Sequence, residues 1–221
     1  MICYCCHEAL AVQLDIVNLF SKQVPLCEKC RREISVWRPG RRCASCHRRM
    51  SDEEVECLDC LFLLERYQPP GKTTCLLDYH EMNKMLFHRY KFMGDCALAE
   101  IIAMFLPGHY GEYDVITPIP ISTQRMTERG YNQTAMVLDA KGIQYEELLG
   151  TSRVKRQSEL GKNDRSRQEN PFFISRPAGI EGRRILVVDD IYTTGITVHQ
   201  AMEKLHAFRP AAIDVLTFSK A

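Results

Sequence analysis

The chain reads as an α/β fold, a parallel sheet flanked by helices, preceded by a small Cys-rich module. Three observations predict it. Residues 185–188, ILVV, form an unbroken apolar run, as a strand buried on both faces requires, and a helical stripe follows. Residues 113–119, YDVITPI, repeat the strand pattern and lead through a polar loop into another helix. Nine of the 11 cysteines lie in the first 60 residues and none lies beyond Cys96, so the N-terminal part follows a different rule. At 221 residues, 45% of them hydrophobic, the chain can hold a small module and a medium domain, divided here as 1–68 and 69–221. The net charge of +1 names no partner, because it averages over segregated clusters. No run of about 18 apolar residues offers a membrane span. The opening MICYCCHEAL lacks the basic and apolar regions of a signal peptide, so a cytoplasmic location is expected.

Four C-x-x-C pairs follow one another: Cys3/Cys6, Cys27/Cys30, Cys43/Cys46 and Cys57/Cys60. A two-residue gap lets a tight turn aim both thiolates at one ion, and two pairs complete a tetrahedral site. Two structural zinc ions are therefore expected. Sequential pairing places Cys3, Cys6, Cys27 and Cys30 on one ion and Cys43, Cys46, Cys57 and Cys60 on the other. An interleaved cross-brace satisfies the same spacing. Cys5 and His7 crowd the first knuckle and make its ligands the least defined. A disulfide framework is the competing explanation, and a reducing compartment argues against it. A segment this small lacks the core to fold alone, hence its need for metal.

Between the knuckles, residues 31–49 carry Arg31, Arg32, Arg38, Arg41, Arg42, Arg48 and Arg49 against Glu33, with Trp37 among them. Arginines neutralise phosphates and an aromatic between them can stack on an unpaired base, so contact with single-stranded DNA is expected here. The plainer alternative is a solvated loop. Gln68-Pro69-Pro70-Gly71 marks the junction to the next part, and residues 75–79 read as a strand. Met82, Met85, Leu86 and Tyr90 make one helical stripe; Leu98, Ile101, Ile102 and Phe105 make a second, ended by Pro107-Gly108. After Pro120 a polar loop bears Arg125 and Arg129, and Gly130 is read as opening a helix with Ala135, Val137 and Leu138 on its apolar side.

The ILVV strand ends in Asp189-Asp190, and after Ile191-Tyr192 come Thr193, Thr194, Gly195, Ile196 and Thr197. Val198, Ala201, Met202 and Leu205 then recur at helical spacing until Arg209-Pro210, and residues 213–218 read as a last strand. Strand, hydroxyl-and-glycine turn and helix together make an anion site. Helix N–H groups face a phosphate, Gly195 allows close approach, and threonine hydroxyls donate. The two acids cannot bind phosphate. They suit vicinal ribose hydroxyls or hydrated magnesium, so the ligand expected is a sugar phosphate. The G-x-x-x-x-G-K-[ST] order of a P-loop is absent.

This motif resembles the phosphoribosyl pyrophosphate signature of type I phosphoribosyltransferases. The resemblance implies a type I phosphoribosyltransferase-like sheet, with Asp189 and Asp190 on the ribose hydroxyls. It also implies Thr193, Thr194, Gly195, Ile196 and Thr197 around the 5-phosphate and magnesium with phosphoribosyl pyrophosphate. Arg129 is a further expected ligand-binding residue, and if the chain is a salvage enzyme, Arg129 and Lys162 are basic groups that assist loss of pyrophosphate. Hypoxanthine-guanine enzymes carry an acidic general base where this chain has Thr193, so catalytic residues stay unassigned.

The whole chain resembles the ComF/ComFC competence protein family. The resemblance rests on the four Cys pairs, on Tyr90-Lys91-Phe92-x-Gly94-Asp95, and on Arg129-Gly130-Tyr131-Asn132-Gln133 after Pro118-Ile119-Pro120. Arg153, Gln157, Arg165, Asn170 and Phe173 add a further family-like segment. It implies a role in natural transformation and the handling of single-stranded DNA, with a ComFA-type translocase ATPase and DNA-processing proteins as partners. Residues 153–167 carry Arg153, Lys155, Arg156, Lys162, Arg165 and Arg167 against Glu159 and Asp164. Such a basic loop can close over pyrophosphate or follow a DNA backbone. Two other functions stay open: a nucleobase-salvage phosphoribosyltransferase with an accessory zinc module, and a regulator that senses phosphoribosyl pyrophosphate without turning it over.

Overall fold

A computed structural model describes residues 1–10, 23–152, 170–177 and 180–221; the basic segment from Arg153 to Arg167 lies outside the described residues. In chain order the elements are α1 (Glu28–Ser35), α2 (Leu58–Leu64), β1 (Thr73–Asp78), α3 (Glu81–Phe92), α4 (Leu98–Ala103) and β2 (Val115–Pro118). Then follow α5 (Thr123–Arg129), α6 (Gln133–Lys141), β3 (Leu149–Thr151), β4 (Phe172–Ile174), β5 (Arg184–Tyr192), α7 (Ile196–His206) and β6 (Ala212–Lys220). Four strands form a parallel sheet in the order β1-β6-β5-β2, and β3 pairs with β4 antiparallel.

Alternation along the strands supplies two cores. Leu186, Val188, Leu216 and Phe218 face one side with α3, α4 and α6, whereas Ile185, Val187, Ile213 and Val215 face the other with α7. The expected fold is therefore present, a parallel sheet with both faces covered. Several boundaries differ from expectation. β5 runs on through Tyr192, because Asp189, Ile191 and Tyr192 keep pairing with Thr217, Ser219 and Lys220 of β6. The polar loop after Pro120 folds as α5, capped by Ser122, whose hydroxyl accepts from the Arg125 N–H. Gly130 ends that helix in the left-handed region at φ 80°, and Asn132 caps α6 instead. On α3 the buried face is Asn83, Leu86, Phe87 and Tyr90, and Met85 is exposed.

The Cys-rich segment packs on both sides of the sheet. Cys3, Cys5, Cys30 and Ile34 belong to the first core; Cys43, Cys46, Met50 and Cys57 belong to the second. Between the two, residues 37–47 line the outer strand β1. Trp37 Nε1 donates to the Leu76 carbonyl at 3.2 Å and His47 Nε2 to that of Thr73 at 3.1 Å. Arg38 and Arg42 both reach the Asp78 carboxylate, at 2.9 and 3.0 Å. An edge strand is thereby covered by side chains rather than left open to another chain.

Candidate functional site: a strand-end cavity and two four-cysteine clusters

The eight knuckle cysteines meet in sequential pairs. Cys3, Cys6, Cys27 and Cys30 form one cluster and Cys43, Cys46, Cys57 and Cys60 the other, with all sulfurs of a cluster within 4.8 Å of one another. Tetrahedral zinc with bonds of about 2.3 Å places its sulfurs about 3.8 Å apart. Cys6 and Cys27 stand at 3.7 Å, Cys43 and Cys60 at 3.6 Å, and Cys46 and Cys57 at 3.7 Å. Each cluster thus fits one ion, and the described cysteines form no disulfide.

The electrostatics agree. Burial pushes the Cys3 thiol up, yet N–H groups led by that of Cys27 outweigh it and hold it at about 6. Burial likewise opposes ionisation of Cys57, but the Arg48 guanidinium and neighbouring donors bring it to about 7. Cys30 and Cys60 are pushed the other way, by burial and by the adjacent sulfurs. Four sulfurs so close ionise together only around a cation. Cys5 is not a ligand: it is buried in the core, and burial drives its thiol up to about 12.

The clusters also repeat a local design that the spacing argument above does not include. Cys3-x-x-Cys6-His7 and Cys43-x-x-Cys46-His47 share a turn whose histidine has positive φ, 62° and 60°. The flanking bridges Ile2 to Ala9 and Arg42 to Arg49 match, and each second Cys pair opens a helix, α1 or α2. The repeated C-x-x-C-H string was the available signal.

The arginine cluster of residues 31–49 is largely committed to holding this segment together. Arg41 donates to the Glu54 and Val55 carbonyls, and Arg48 pairs with Glu54 and Asp59. Trp37 is half-buried, with the Arg42 guanidinium 4.5 Å from its ring centroid. Its ring is therefore not free to stack on a base. Exposed Arg31, Arg32 and Arg49 make no ion pair among the described residues.

At the C-terminal ends of the strands lies a cavity of 270 Å³, where open parallel sheets bind ligands. Asp189, Asp190, Thr193 and Thr197 line it, as do Arg125, Arg129, Lys91, Gln133 and Thr134. Thr194 and Gly195 form the turn beside it, and Ile196 is buried in α7, so only its backbone can serve a phosphate. Gly195 sits at φ 82°, and a Cβ there would stand 2.2 Å from the Tyr192 hydroxyl. His199 Nδ1 donates to the Gly195 carbonyl at 3.1 Å, and Lys220 Nζ donates to the Thr193 carbonyl at 2.8 Å. The turn is thus braced from below.

Asp190 is held on both of its oxygens. Its Oδ2 meets Lys91 Nζ at 2.7 Å and its Oδ1 accepts the Ile191 N–H at 2.5 Å. Arg129 lies over Phe92, 5.4 Å from the ring centroid; burial and the charge of Arg125 lower its pKa while Asp190 raises it. Gln133 is 1% exposed, and its Nε2 has no hydrogen-bond partner among the described residues. A buried donor beside a cavity has capacity for a further acceptor. As a resident magnesium site the acids fit poorly, since a lysine ammonium already occupies Asp190.

A larger cavity of 510 Å³ lies behind the turn, between the second four-cysteine cluster and β1, and Tyr192 and His199 line it. Among the described residues, Lys72 is the one lysine or arginine lining it.

Comparison with known proteins matches residues 131–220 to the phosphoribosyl transferase domain. A curated relative, competence protein ComFC of Streptococcus pneumoniae, is 31% identical over 99% of both chains. The chain belongs to the ComFC family. The Bacillus subtilis ComFC protein is 27% identical over 91% of this chain and 87% of its own. Glutamine phosphoribosylpyrophosphate amidotransferase from B. subtilis, a solved structure, overlays 57% of this chain and 26% of its own at 20% identity and a TM-score of 0.36.

Two motifs that carry the resemblance to ComFC proteins converge on the cavity. Tyr90-Lys91-Phe92 contributes Lys91 and Phe92, and Arg129-Gly130-Tyr131-Asn132-Gln133 contributes Arg129 and Gln133. The sequence assigns roles to Asp189, Asp190 and Arg129 but not to Lys91 or Gln133. Nothing local could have revealed Lys91, which meets an acid far along the chain on another element.

Proposed function

We propose that this protein acts in natural transformation, as its ComFC relatives are named for, and that it does so while binding phosphoribosyl pyrophosphate. The observation that carries the ligand is the composition of the 270 Å³ cavity. Two carboxylates for ribose hydroxyls stand between a threonine turn and the groups Arg125, Arg129 and Gln133. The 5-phosphate lies on the turn, where the α7 N–H groups converge. The pyrophosphate lies toward Arg125 and Arg129, and the orphaned Gln133 Nε2 gains an acceptor there. Any magnesium arrives with the pyrophosphate. The two four-cysteine clusters each hold one structural zinc ion; residues 1–68 form the zinc-binding module and residues 69–221 the phosphoribosyltransferase-like domain.

Among the described residues, the only carboxylate side chains lining the cavity are Asp189 and Asp190, and no imidazole lines it. Both acids are taken by the sugar in this reading, so it is one of binding. Single-stranded DNA is expected along exposed Arg31, Arg32 and Arg49, with the ComFA-type ATPase as a protein partner, in the cytoplasm. Calorimetry tests the ligand. Asp190→Asn is expected to weaken phosphoribosyl pyrophosphate by about tenfold or more, one strong polar contact. A variant that binds as the wild type does would overturn the assignment. A single-stranded DNA titration of the Arg31, Arg32 and Arg49 alanine variants tests the other partner. Unchanged affinity with unchanged salt dependence would sink that surface.

A further inference from the structure

Lys91 stands at the end of α3 with its side chain directed at Asp190. The Nζ–Oδ2 distance is 2.7 Å, and the two side chains are only 16% and 18% exposed. The other Asp190 oxygen is held by the Ile191 N–H, and Asp189 Oδ1 accepts the Asp190 N–H at 2.9 Å. The oxygen that would turn toward a divalent ion is therefore already covered by a cation belonging to the chain.

That cation has unused capacity. An ammonium carries three donors, and the ion pair with Asp190 engages at most one of them. Lys91 lines the same cavity as Arg125 and Arg129, so three cationic and two acidic side chains stand together there, beside Ala221. The surplus positive charge suits a ligand that brings a phosphate and a diphosphate. A solvated surface pair would contribute little; this one is mostly shielded and placed on the acid that meets the sugar. Magnesium needs several oxygen ligands in a nearly octahedral shell, whereas the ammonium neutralises the same charge with no shell to assemble.

We infer that Lys91 takes the place of magnesium at the protein side of this site. Its ammonium bridges Asp190 and an anionic oxygen of phosphoribosyl pyrophosphate, so the ligand binds without the metal. The inference rests on the phosphoribosyl pyrophosphate reading above. It is tested on the full zinc-loaded chain by calorimetry with phosphoribosyl pyrophosphate, with magnesium present or simply omitted, so that no chelator disturbs the cysteine clusters. Wild-type affinity is expected to agree within about threefold between the two buffers. Lys91→Met is expected to lose about tenfold or more without magnesium and to recover part of it with magnesium. Lys91→Arg keeps a cation and is expected to stay indifferent to the metal. Binding of the wild type only with magnesium overturns the inference, and so does an equal loss by Lys91→Met in both buffers, the mark of a structural role. If Lys91→Met fails to fold, the wild-type and Lys91→Arg comparison still decides. No binding by the wild type in either buffer overturns the ligand assignment itself.

Discussion

Asp78 ties the arginine-rich segment to the sheet. It is 1% exposed, at the end of β1, and it accepts from the Arg38 side chain and backbone and from Arg42. Burial pushes its carboxyl up, but the bonds from Arg38 and the charge of Arg42 prevail and hold it at about 2. Asp78→Asn would leave two guanidiniums without their anion, and Arg42 is only 17% exposed. Removing one partner of a shielded pair costs about 3 kcal/mol. Urea unfolding at neutral pH is expected to show a loss of that order; a loss below about 1 kcal/mol would make the pair an ordinary surface contact. In the sequence these arginines read as a surface for phosphates. The acid that claims two of them lies 36 and 40 residues away, and charge counting within a window does not include it. Gly195 shows the opposite case. It was legible as the residue that lets a phosphate approach, and the structure adds a second reason, the Tyr192 hydroxyl packed beneath it.

Helix α7 concentrates the next consequence at the level of an element. Burial lowers the pKa of His199, partly offset by its bond to the Gly195 carbonyl, and burial lowers that of His206 as well. An unfolded histidine titrates near about 6.5. As the pH falls through that value the unfolded chain takes up protons that the folded chain refuses, so stability decreases toward acid and is flat above it. Urea unfolding on either side of this pH should show the decline, and His199→Gln should show less of it. An undiminished slope in the variant would place the effect elsewhere. The stripe of Val198, Ala201, Met202 and Leu205 made α7 legible, and all four residues are buried. Helix α5 was not legible because it is seven residues long with none buried, so no apolar period exists to read. The full length of β5 was hidden for a related reason. Asp189 and Asp190 look like a strand end, and only pairing with β6 carries the strand past them.

For the molecule as a whole, the four-cysteine clusters and the sheet share their cores. Cys3, Cys30 and Ile34 pack in one cluster with Leu77, Leu86 and Phe87; Cys43, Cys46 and Met50 pack in the other with Cys75, Val187 and Val215. Cys75 also contacts the second four-cysteine cluster directly, with its sulfur 4.0 Å from the Cys46 carbonyl oxygen. Composition alone could separate a Cys-rich part from an α/β part, but it could not show one part packed on both faces of the other. A zinc site that completes a core stabilises whatever shares that core. Metal analysis is expected to find two zinc ions per chain. Stripping them with a chelator is expected to lower the midpoint of one common unfolding transition in calorimetry, rather than to remove a separate early one. Serine at Cys30 or at Cys60 should do the same from either face, because each site backs its own side of the sheet. Two transitions, the upper unmoved by the chelator, would show instead that the α/β part stands without its metal-bound cover.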